Sequence, residues 1–211
     1  MDQSSQKATQ DFLPIEEVRD DLLIMKDKSL RGIMVLSSLN FALKSAEEQE
    51  ATIFQFQNFL NSLDFPCQIL VQSRRLNMTG YLEKLNTIAI QQTNPLLKVQ
   101  TQEYKKFIEE LVTGGNIMTK NFFVVISFYL TELIGTTTQQ KIAAPMNEEN
   151  FQRAKHQIFQ RMEFVALGLQ RCGLKVTALK TVELIELFWS LYHPKQAEQG
   201  YYPEIPPDLL K

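Results

Sequence analysis

The chain has 211 residues, 44% of them hydrophobic and 22% charged, enough for one sizeable core or two small lobes. Its 22 Lys and Arg against 24 Asp and Glu leave a formal net charge of -2. No global positive field is available to hold a phosphate backbone, so direct nucleic-acid binding is not expected. No apolar run reaches the roughly 18 to 20 residues that cross a bilayer, and the opening MDQSSQKATQD lacks the basic start and apolar middle of an export signal. The expectation is a soluble, cytoplasmic protein.

Residues 1–11 are predicted to be a solvated tail. Phe12-Leu13-Pro14-Ile15 then begins an edge segment, because proline favours extended backbone before it. The apolar runs 21–25 and 30–37 flank Lys26-Asp27-Lys28-Ser29 and predict a β-hairpin; their continuous apolar character implies that both sheet faces are largely covered. Ser45-Ala46-Glu47-Glu48 has the form of a capping box, with Ile53, Phe56, Leu60 and Leu63 as the buried stripe of the helix it opens. Residues 67–71 form a third strand that runs out into the polar Gln72-Ser73-Arg74-Arg75.

Residues 79–113 predict two helices broken near Asn94-Pro95, the second turning Tyr104, Phe107, Ile108 and Leu111 inward and stopping at Gly114-Gly115. Residues 120–130 predict the fourth and most buried strand, and 131–146 a mobile surface connection. Phe151, Ala154, Ile158, Met162, Val165, Leu169 and Cys172 recur at helical spacing until Gly173, the clearest stripe in the chain. A short strand over 174–179 follows, then a helix N-capped by Thr181 and ended by His193-Pro194. Residues 196–211 read as an extended proline-rich tail. The pattern is α+β: a mixed, mainly antiparallel sheet opened by a hairpin, covered by about five helices, over residues 12–195.

The chemistry-bearing motifs are mostly absent. No glycine is followed by lysine, so the chain has no P-loop to wrap nucleotide phosphates. His156 and His193 stand apart from each other and from cysteine, and Cys67 and Cys172 form no CxxC pair, so neither a metal nor a cofactor is expected. Both cysteines read as small apolar side chains. Glu47, Glu48 and Glu50 sit where negative charge complements a helix start. The candidate partner-binding residues are Arg74 and Arg75, whose guanidinium forks suit carboxylate or phosphate, and Tyr201 and Tyr202 in the C-terminal tail. The alternative for the arginines is a plain sheet-edge role, and Trp189 reads as core. No enzyme is expected.

Phe12-Leu13-Pro14-Ile15, the run Leu23-Ile24-Met25-Lys26-Asp27-Lys28-Ser29-Leu30 and Leu39-Asn40-Phe41 together resemble the opening of the TraC-like family. The resemblance continues through the helix at 54–63, the strand at 68–75, Phe122-Phe123-Val124-Val125-Ile126 and Leu179-Lys180-Thr181-Val182-Glu183-Leu184. It departs at Lys28, where the family's turn has glycine. Such domains form the N-terminal, non-motor part of conjugation and type IV secretion ATPases. The resemblance implies a bacterial assembly or docking component of a DNA- or protein-transfer or pilus-assembly machine, peripheral at the cytoplasmic face of the inner membrane. Its partners would be a separate motor ATPase or inner-membrane channel subunits. Two other readings stay open: a self-associating scaffold using the 147–172 helix as its interface, and a small enzyme with a spatially assembled site.

Overall fold

The computed structural model describes residues 13–115, 117–134 and 147–198. The expected N-terminal tail and most of the 131–146 connection lie outside them. Two compact units divide the chain: 13–70 with 122–134 and 147–185, and 71–121 with 186–198. The boundary falls within two strands and one helix.

The first unit begins with β1 (Ile15–Arg19) and β2 (Leu22–Met25), an antiparallel pair closed by Asp20 and Asp21 at φ +53° and +64°. Two successive left-handed residues are what a two-residue hairpin turn matched to strand twist requires. Asp21 is held there by Thr181, whose backbone N–H and hydroxyl both donate to its carboxylate at 2.7 and 3.0 Å. The second turn leads from β2 to β3 (Leu30–Leu36), with Lys28 at φ +63°. The backbone keeps the conformation glycine favours, and lysine occupies it while its Nζ pairs with Glu16 at 2.5 Å.

Asp27 holds that turn from inside. Its carboxylate accepts from the Ser29 backbone N–H at 2.9 Å and from the Ser29 hydroxyl, and Ser29 is 1% exposed. Partial burial pushes the Asp27 carboxyl up, but the hydrogen bonds from Ser29 and the charge of Arg31 outweigh it, leaving its pKa lowered. A depressed folded-state pKa contributes stability above the unfolded value, and that contribution is lost as pH falls through the folded one. Asp27→Ala is therefore expected to cost about 1–2 kcal/mol at neutral pH by orphaning the buried Ser29 groups. Its gap to the parent in urea unfolding should narrow below about pH 4. A gap that widens in acid would contradict this.

The six-stranded sheet has the order β1-β2-β3-β5-β4, with β5 (Met118–Phe128) and β4 (Cys67–Arg75); β6 (Val176–Ala178) pairs with β3 off that path. β3 and β5 are antiparallel in register from Leu30 opposite Phe128 to Leu36 opposite Phe122. The observed architecture is α+β. β2 and β3 are buried along most of their length, as expected for doubly covered strands, whereas β5 is buried mainly in its second half.

α1 (Ala46–Asn61) starts at the expected capping box: Ser45 accepts from the Glu48 N–H at 3.3 Å, and Glu48 accepts from the Ser45 N–H at 3.1 Å. Its inner stripe is rotated from the predicted one. Phe59 is buried and Phe56 and Leu63 half-buried, while Ile53 and Leu60 are exposed, because the helix presents the Phe56–Phe59 edge to its neighbour.

That neighbour is α5 (Glu148–Arg171), whose predicted stripe forms the core: Ala154, Ile158 and Val165 are fully buried. The stripe is therefore not an available interface. Gly173 ends this segment at φ +87°. α4 (Thr131–Ile134) is a short helix where a connection was expected. Arg161 ties it to α5, donating to Glu132 at 2.5 Å and to the Ser127 carbonyl at 3.0 Å between the rings of Phe65 and Phe128.

α6 (Thr181–Tyr192) begins with Thr181 as its first helical residue instead of its cap; the Lys180 carbonyl accepts the first helical bond. α7 (Pro194–Glu198) places residues 196–198 in a helix where an extended tail was expected, since proline suits a first helical position.

The second unit contains α2 (Thr79–Gln91) and α3 (Pro95–Gly115), an antiparallel helical hairpin broken at the predicted place. Leu85 and Ala89 of α2 are buried and Leu82 half-buried, and on α3 the half-buried residues are Thr101, Lys105, Ile108 and Val112. Of the four α3 residues predicted inside, only Ile108 is; Tyr104, Phe107 and Leu111 are exposed. The inner row mixes Ile108 and Val112 with Thr101 and Lys105, so periodicity selected the more apolar row beside it, which stays exposed.

Candidate functional site

An apolar concavity lies within the first unit, between α1 and the sheet. It has a volume of about 340 Å³ and walls that include Leu36, Phe56, Phe59, Leu63, Ile69 and Leu174. The C-terminal half of α1 brings its two rings to the cleft, and β4 supplies Cys67 and Ile69 as it leaves the turn at Pro66.

Two serines, Ser37 and Ser38, reach the walls. Ser37 is committed to the backbone: its N–H donates to the Lys175 carbonyl and its hydroxyl accepts from the Lys175 N–H, each at 2.9 Å, extending the β3–β6 ladder. Burial pushes the Cys67 thiol up, which keeps it protonated at neutral pH and poorly nucleophilic. What the cleft offers chemically is desolvation of an apolar group, with no charged side chain among its walls.

Arg74 and Arg75 alternate along the edge strand β4. Arg74 donates to the Ser190 hydroxyl at 2.7 Å, and Ser190 in turn donates to the Leu187 carbonyl at 2.6 Å, so its guanidinium is engaged inside the second unit. Arg75 is exposed and has no hydrogen-bond or ion-pair partner among the described residues. Tyr201 and Tyr202 lie outside the described residues.

Trp189 is half-buried and stacks on His193 at 5.0 Å between centroids. His156 is exposed, 3.0 Å from the Gln160 amide. Among the described residues, no group of three or more His, Cys, Asp or Glu could hold a metal ion, and no helix is long and apolar enough to cross a membrane.

Sequence reasoning missed both the cleft and the outer face of α3. The cleft joins residues from five separate segments, so no local pattern announces it. The α3 face did leave a signal: Leu97, Tyr104 and Leu111 repeat every seven residues beside the Ile108 stripe.

Comparison with curated proteins gives no match. The model of the archaeal TraC-like domain matches residues 16–194, from the first strand through the hairpin to the end of the last long helix, and the chain belongs to that family.

Proposed function

We propose that this chain is a non-catalytic docking component of a conjugative or type IV secretion apparatus, which binds a separate motor ATPase or the membrane channel subunits from the cytoplasmic side. The family carries the link to conjugation and secretion. The single observation behind the docking role is the 340 Å³ cleft, whose walls are mainly hydrocarbon and aromatic, with Ser37 and Ser38 as the polar members and no charged groups. Such a site rewards insertion of an apolar side chain of a partner, and it provides nothing to polarise a bond or hold a phosphate.

Ile69 tests the reading because it lines the cleft yet is 55% exposed. Ile69→Trp should fill the mouth without disturbing the core. Calorimetric titration of the full chain with a conjugation or secretion ATPase from the same organism should show binding, weakened about tenfold or more by the substitution, with the thermal unfolding midpoint little changed. Binding indifferent to Ile69→Trp would remove the cleft from the proposal. No binding to the ATPase or to the channel subunits would remove the proposal itself.

A further inference from the structure

We propose that the outer face of the α2–α3 hairpin is a self-association surface on which a second copy of this chain seats its own hairpin, each α3 lying over the partner copy's α2. The hydroxyls of Tyr81 and Tyr104 are 3.3 Å apart, which puts both rings on one side of the hairpin and sets its register. In an antiparallel pair, a step forward on one helix matches a step back on the other, so Ile88 stands opposite Leu97 on the same side. Leu111 continues that row, and Phe107 borders it. These six side chains are all exposed, Phe107 at 58%.

Together they present on the order of 600 Å² of largely apolar surface per copy, at the top of what a monomer ordinarily leaves uncovered. With a polar rim, face-to-face pairing reaches the roughly 800 Å² per partner of a standard interface.

Charge selects the second copy over an unrelated apolar partner. By the helical period, the edge of the patch on α3 carries Glu103 and the opposite edge on α2 carries Lys84. The ion pairs within α3, Lys105 with Glu109 and Lys106 with Glu110, leave Glu103 unused, and neither Glu103 nor Lys84 has an ion-pair partner among the described residues. A twofold axis along the hairpin lays the acidic edge of one copy on the basic edge of the other. In the register set by Tyr81 and Tyr104, Glu103 and the partner copy's Lys84 then differ by about 3 Å along the axis. The face is complementary to itself.

Light scattering on the full chain after size exclusion, across a concentration series, is expected to show a monomer–dimer equilibrium. Phe107→Glu should leave only monomer, with circular dichroism unchanged. Lys84→Glu alone should weaken the dimer about tenfold, and Lys84→Glu with Glu103→Lys should recover most of that loss, because both new charges meet their opposites across the axis. A monomer at every concentration up to about 100 µM overturns the proposal. So does a dimer indifferent to Lys84→Glu, or a double variant no tighter than the single one. Should Phe107→Glu fail to fold, the two charge reversals, on exposed side chains, carry the test alone.

Discussion

Ile158→Glu is expected to abolish the folded state. Ile158 is fully buried on α5, in the same cluster as Phe151, Ala154 and Met162 against β3 and β5. A carboxylate there would have neither water nor a cation, and protonating it would still leave a hydroxyl and a carbonyl without partners. The expected cost exceeds about 5 kcal/mol, which is as large as the whole stability of many domains. The measurement is near-ultraviolet circular dichroism with urea unfolding: the parent should unfold cooperatively and the variant should show no transition. Gln157→Glu, one residue away on the exposed side, should change stability by less than about 0.5 kcal/mol. A folded Ile158→Glu protein altered only in assembly would mean that the stripe is an interface after all.

The contact between α1 and α5 should show strong coupling between Phe59 and Gly168. Phe59 is 5% exposed, and a Cβ added to Gly168 would lie 2.4 Å from its Cδ2 atom. Phe59→Ala removes a ring that also walls the cleft, at an expected cost of about 3–5 kcal/mol.

Gly168→Ala in the parent gains about 1 kcal/mol of helix propensity but forces the ring aside, for a net loss of about 1–2 kcal/mol. In the Phe59→Ala background the overlap is gone, and the same substitution should stabilise by about 1 kcal/mol. The double-mutant cycle in urea thus expects a coupling of about 2–3 kcal/mol. Additivity would show that the helices approach each other elsewhere. Gly32 offers a contrast: its added Cβ would meet Met162 Sδ at 2.3 Å, and a flexible thioether yields more easily than a ring packed beside Phe56.

Elements with a strong local cause were legible in the sequence. The Ser45–Glu48 box, the proline break before α3, the α5 stripe and the glycine stop at Gly173 each depend on residues within a few positions of one another. Faces were less legible. α1 has apolar side chains around more than half its circumference, and α3 turns in a mixed row beside a more apolar one, so periodicity alone could not choose which side turns inward; the choice belongs to what packs against each helix. Arg74, a candidate partner contact whose structural reading already weighed more in the sequence, has its hydrogen-bond partner in Ser190, 116 residues away in sequence, where no local pattern reaches.

From the sequence alone came the α+β class, the opening hairpin, the approximate extents of the five long helices, the missing P-loop and the resemblance that the family model bears out. These follow from backbone preferences and spacing, which act over short distances. Only the tertiary structure decided the strand order, the joining of five segments around the cleft, and which row of α3 stays exposed. Those depend on burying apolar area shared among distant segments, and that free energy has no local signature.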